Sequence, residues 1–231
     1  MVRRVGKYLP EDMMSELICE NYPMLLVMSR FGISLGFGDD TIEDTCKNHK
    51  VDVYTFLGVV NMLLSDDKQH SNIDFTKISL SSLIKYLHKS HTYFLEYRLP
   101  SIRKMLVESL DKTEDVSVVI LNYYDKYVAG VNEHMMYEEN TLFPYINAML
   151  NNSPTESYSI NTFSEHHDKI ESRLTELKNI IIKYYPTTSS NELNNTLYNI
   201  FSCERDLASH NAIEDYLLVP VMQEFENSKK Q

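Results

Sequence analysis

Residues 134–144, HMMYEENTLFP, and residues 210–220, HNAIEDYLLVP, share one spacing: a histidine, a glutamate four residues on, and a proline six residues beyond the glutamate. In a helix, a histidine and a glutamate four apart project from the same side, one turn from each other. A single such pair is ordinarily an ion pair on a helix surface. Here the pair occurs twice, and each copy lies on an apolar stripe. The first stripe runs through Val116, Ile120, Tyr127, Val131, His134, Glu138, Leu142 and Tyr145. The second runs through Leu193, Leu197, Ile200, Leu207, His210, Glu214 and Leu217. Glu139 points away from His134. The repeat predicts that the first two helices of this region relate to the last two by approximate two-fold symmetry.

Working outward, residues 79–228 read as four long amphipathic helices, broken at ESLDKTED (108–115), NNSPTESY (151–158) and YYPTTSSNE (184–192), where Pro, Ser and Asn mark turns. Short loops between helices of this length predict an antiparallel four-helix bundle in an all-α protein. In the third helix Ile160, Phe163, His167, Ile170, Leu174, Leu177 and Ile181 recur at steps of three and four. Residues 1–68 read as a small helical domain with Asp12 and Asp52 as helix N-caps, and residues 69–78 as a linker. The glycines of FGISLGFGDD (31–40) do not have phosphate-loop spacing, and no strand precedes them, so the stretch is a turn.

Composition agrees with helices: 6 Gly and 7 Pro in 231 residues are few, and 43% hydrophobic residues supply a substantial core. The net charge of −11 argues against a nucleic acid or an anionic membrane surface as partner. The start, MVRRVGKYLPEDMM, is not followed by an apolar run of signal-peptide length. Three widely spaced cysteines, Cys19, Cys46 and Cys203, form neither a disulfide framework nor a zinc knuckle, and the expected setting is the reducing cytoplasm.

Burying a lone imidazole or carboxylate costs several kcal/mol unless it is paired or bound to a metal, so ionisable groups on three inward stripes need a joint explanation. A metal cluster supplies one. The first helix offers two histidines to match His167. His91 lies nearer the middle of the stripe set by Leu80, Leu83, Ile84, Leu87, Phe94 and Ile102, with His88 at its edge, and His91 precedes His134 by the same 43 residues that separate His167 from His210. A longer first loop would equally place His88 in register, so spacing leaves the choice open. Four imidazoles and two carboxylates suit iron, zinc or manganese rather than calcium or magnesium. Two metals are implied, with coordination positions left open. A metal phosphohydrolase built on His167 and Asp168 is disfavoured, because Asp168 leaves the buried stripe and the charge repels phosphate esters.

The motifs LHKSHTYFLEYRLPSI (87–102), HMMYEENTLFP, SEHHDKI (164–170) and HNAIEDYLLVP follow one another in an order and at intervals that resemble the Repair of Iron Centres proteins of the YtfE and ScdA type. That family carries a hemerythrin-like di-iron domain behind a small helical domain. The resemblance implies a non-haem di-iron centre, oxo- or hydroxo-bridged, with His88, His134, Glu138, His167, His210 and Glu214 as ligands and the two glutamates as bridges. It also implies repair of iron-sulfur clusters damaged by nitric oxide or oxidative stress, by supplying iron to damaged or apo iron-sulfur proteins. Nitric oxide or dioxygen would be the small ligands. The competing expectation is a hemerythrin-like module that binds or senses oxygen or nitric oxide. One departure stands out: the family's first domain carries an adjacent cysteine pair where this chain has Gly36 and Phe37. A thiol role for that domain does not carry over, and Cys19 and Cys46 are expected to be buried and inert.

Overall fold

The computed structural model describes residues 7–65, 73–111, 113–153, 158–166, 172–185 and 190–229. The chain is all-α. No strand forms among the described residues, and an isolated antiparallel bridge joins Met13 to Thr41. No helix among them is long and apolar enough to cross a membrane. Two compact units divide the chain, one comprising Met1–Ser90, Ile146–Ser164 and Ala212–Gln231, the other His91–Tyr145 and Glu165–Asn211.

The first unit opens with four short helices: α1 (Met14–Glu20), α2 (Met24–Arg30), α3 (Ile42–Asn48) and α4 (Val53–Leu64). Asp52 caps α4 as its sequence position predicts, its side chain accepting from Thr55 N–H at 2.8 Å. Asp12 does not cap α1. Its Oδ2 accepts from Leu9 N–H at 2.7 Å and closes the preceding turn, while the α1 cap position falls to Met13. Thr41 caps α3 instead, accepting from Asp44 N–H at 3.1 Å. The glycine stretch is a turn, with Gly36 at φ +95°, backbone that residues bearing a Cβ rarely adopt. Cys46 is fully buried on α3, whereas Cys19 is exposed. The expectation for Cys19 fails because Met14 and Leu17 take the inward face of α1, and a residue two beyond Leu17 falls on the opposite side.

The remaining helices are α5 (Leu80–Thr92), α6 (Leu99–Ser109), α7 (Asp115–Tyr137), α8 (Phe143–Leu150), α9 (Ile160–His166), α10 (Ser172–Tyr184), α11 (Asn191–Ile213) and α12 (Val219–Lys229). Among the described residues, π turns connect three pairs: Tyr93–Arg98 between α5 and α6, Glu138–Leu142 between α7 and α8, and Glu214–Leu218 between α11 and α12. The prolines explain them. A proline inside a helix has no N–H to give and its ring strikes the carbonyl four residues back. Pro100, Pro144 and Pro220 would strike the carbonyls of Glu96, Asn140 and Tyr216, and all three carbonyls lie within the widened turns.

Within the second unit the side-chain pairing fixes direction. His91 meets Glu138, and eight residues further on Leu99 O accepts from Tyr124 O–H at 2.8 Å. Partners advance along one helix as they retreat along the other, so these two helices are antiparallel. The fourth runs antiparallel to the first by the same test: the rings of His91 and His210 lie 5.1 Å apart, Arg98 donates to Asn199 Oδ1 at 2.8 Å, and Thr196 donates to Ser109 Oγ at 3.2 Å. One shared core draws on all four helical segments, with Phe94 and Ile102, Tyr124 and Val131, Leu174 and Leu177, and Ile200 and Leu207 buried together. This is the helical bundle that the stripes predict.

Candidate metal centre

The inward stripe of α5 runs through Leu83 and Leu87, both fully buried, and continues to Phe94 beyond the helix end. His91 extends that line and is 2% exposed, whereas His88, about 60° further from its centre, is exposed. The resemblance puts His88 at the first-helix ligand position; the structure brings in His91 and turns His88 outward. The geometric reason is that intra-helical spacing aims His91 into the core that His134 and Glu138 face from α7 and its π turn.

Glu138, fully buried, lies between two imidazoles. Its Oε2 is 3.0 Å from His91 Nε2, and its Oε1 is 3.1 Å from His134 Nε2. His134 is half-buried, its side chain 13% exposed. His210 is 1% exposed, and His91, Glu138 and His210 each offer one ligand atom within 4.8 Å of the others. Glu214 follows His210 by four residues along the same helix, so it stands one turn on along the same side. It is fully buried. His167 lies outside the described residues.

The sequence pattern did not single out Glu139 or Phe143 at this site. Glu139, expected to point away from His134, has its Oε1 2.7 Å from His91 Nδ1. The ring of Phe143 stacks on that of His91, centroids 5.4 Å apart and planes 8° from parallel. A signal for Glu139 was present: the acidic doublet Glu138-Glu139 is matched by Glu214-Asp215 in the second repeat.

The donor chemistry fits a cation. When Glu139 accepts from Nδ1–H, a neutral His91 ring presents only a lone pair at Nε2, and Nε2 faces a carboxylate oxygen that is also an acceptor. Two acceptors at 3.0 Å require positive charge between or beside them, a proton or a metal ion. Imidazole with carboxylate suits first-row transition metals and is a poor set for calcium or magnesium, which take oxygen.

Comparison with known proteins agrees with this chemistry. The family described as "Hemerythrin HHE cation binding domain" matches residues 82–222. The chain is 19% identical over 215 residues to "Iron-sulfur cluster repair protein ScdA" of Staphylococcus haemolyticus (strain JCSC1435), covering 90% of this chain and 96% of that protein. No solved structure matches.

Proposed function

The chain belongs to the hemerythrin HHE cation-binding family, and from that premise we propose that the buried His/Glu group holds a non-haem di-iron centre serving the repair of iron-sulfur clusters. The observation that carries the reading is Glu138, whose two oxygens each face an imidazole from a different helix. That is the arrangement a bridging carboxylate requires. His91, Glu138 and His210 would hold one iron and His134 with Glu138 the other, and Glu214 is proposed as a second bridge on its sequence repeat alone. His167 is proposed for the second position on its sequence motif alone. The similarity to a repair protein over 96% of that protein's length supports the cellular role.

A di-iron centre bound there supplies redox-active iron with coordination positions open to nitric oxide or dioxygen. The chain's own residues do the rest. The apolar stripes exclude bulk water around the group, and the two glutamates hold neighbouring positions together until one carboxylate shifts. Iron is also the cargo: histidine and carboxylate hold it less tightly than thiolate cages hold a cluster, so it passes to a damaged or apo iron-sulfur protein under nitric oxide or oxidative stress. The proposed setting is the cytoplasm.

The test mixes the iron-loaded full chain with an apo iron-sulfur enzyme, sulfide and reductant, and follows recovered activity beside free iron at equal concentration. Faster or fuller recovery with the protein, abolished in the Glu138→Ala, Glu214→Ala variant, supports the reading. Stable, reversible binding of dioxygen or nitric oxide with no iron lost to the acceptor would instead favour a sensing module.

A further inference from the structure

We infer that Glu139 is a positioning residue for the metal centre, fixing the ring orientation and tautomer of His91; the inference rests on the reading of His91 as a ligand. Successive residues of a helix project about 100° apart, so when Glu138 aims into the core, Glu139 aims at the flank. The antiparallel first helix runs along that flank and presents His91 there. The outcome is a clamp built from one short stretch of the second helix. Glu138 meets Nε2 of His91 at 3.0 Å, Glu139 meets Nδ1 at 2.7 Å, and Phe143 stacks on the ring face at 5.4 Å.

An imidazole held only by its stem can flip about its last bond and exchange which nitrogen it presents. Glu139 removes both freedoms. Its carboxylate accepts from Nδ1–H, so the flipped ring would turn a carbon toward it, and the neutral tautomer that satisfies it keeps the lone pair at Nε2, facing the centre. The contact joins a 2% exposed imidazole to a carboxylate whose side chain is 22% exposed, so the anchor is stiff on the ring side and reaches solvent on the other. Carboxylates that orient ligating histidines in this manner contribute to metal retention, and their loss typically costs about 10–100-fold in affinity.

The experiment uses the full chain freed of metal, in four forms: unaltered, Glu139→Ala, Glu139→Gln and His91→Ala. Cobalt(II) is titrated as the probe, with its visible spectrum reporting coordination geometry, and release of loaded iron(II) to a chelator gives a second measure. Circular dichroism of the metal-free forms reports folding. Glu139→Ala is expected to weaken cobalt about 10–100-fold, alter its spectrum and speed iron release. Glu139→Gln retains an oxygen that accepts from Nδ1–H, so it should recover most of the affinity and the original spectrum. Should Glu139→Ala fail to fold, Glu139→Met takes its place, since it keeps the side chain's bulk without an oxygen to accept from Nδ1–H; weakened cobalt binding with an altered spectrum then supports the role, and an unaltered spectrum and affinity overturn it. If His91→Ala loses metal while Glu139→Ala matches the unaltered chain in affinity and spectrum, the positioning role is overturned and the di-iron reading survives. Equal losses in the Ala and Gln variants would also overturn it, since charge rather than the oriented hydrogen bond would then be at work. If His91→Ala itself binds metal normally, His91 is no ligand and the reading beneath the inference fails.

Discussion

Replacing the two histidines of the first helix one at a time separates the geometry from the family register. His91 engages two carboxylates, while His88 is exposed on α5. Losing a partner that only orients a ligand costs about 10–100-fold in metal affinity, so losing the ligand itself should cost about 100-fold or more. With free iron(II) at about 1,000 times the dissociation constant, binding stabilises the folded chain by about 4.1 kcal/mol. After a 100-fold loss the same iron is in only about ten-fold excess, and the stabilisation falls to about 1.4 kcal/mol. The difference of about 2.7 kcal/mol corresponds to roughly 5–11 °C in Tm for a chain of this size. The assay is anaerobic thermal unfolding of each variant with and without iron(II), with iron per chain measured alongside. His91→Ala should close most of the gap between the two melting curves, whereas His88→Ala, a surface change worth about 0.5 kcal/mol at most, should leave it intact. The reverse pattern would refute the stripe argument and restore His88 as the ligand.

Tyr124→Phe removes the buried hydroxyl that donates to Leu99 O at 2.8 Å; it should cost about 1 kcal/mol, lower Tm by about 2–4 °C and leave iron content unchanged. Pro144→Ala should leave the helix content by circular dichroism and the bound iron unchanged. Closing the π turn would rotate buried Leu142, Phe143 and Ile146 by about 100°, forfeiting roughly 1.5–3 kcal/mol for each against about 1 kcal/mol for one added hydrogen bond. Burial, and secondarily the nearby negative charge of Asp52, pushes the Cys46 thiol up to about 12. At pH 8 an alkylating agent should therefore modify exposed Cys19 and spare buried Cys46 and Cys203 until the chain unfolds, as read by mass spectrometry.

The all-α bundle was legible because apolar periodicity within a helix is a local property, and the stripes carrying Ile120, Val131, Leu177, Ile200 and Leu207 need no knowledge of their neighbours. His134 with Glu138, and His210 with Glu214, were legible for the same reason, since spacing four on a helix fixes a shared side. What spacing does not encode is the offset between helices. The choice between His88 and His91 depends on which turn of the first helix faces Glu138, and the loop between them hides it. Glu139 shows the same limit: its direction relative to His134 follows from its own helix, but its partner His91 belongs to another. The π turns escaped because a helical wheel assumes one pitch throughout. Cys19 escaped because a helix of seven residues gives too few apolar positions to define a face.

Each π turn inserts a surplus residue into the helix lattice, so residues on its two sides no longer share one frame. Counting positions through such a helix therefore accumulates an offset, and a count taken between the histidine and the proline that follows the turn always includes that offset. His134 and His210 each precede their proline by ten residues, and His91 precedes Pro100 by nine, across a π turn one residue longer than the other two. His88 stands twelve before it. In distant relatives of this chain the prolines thus act as punctuation. The proposed first-helix ligand is to be sought nine or ten residues ahead of the leucine-proline step, wherever insertions and substitutions have blurred the histidine motif itself.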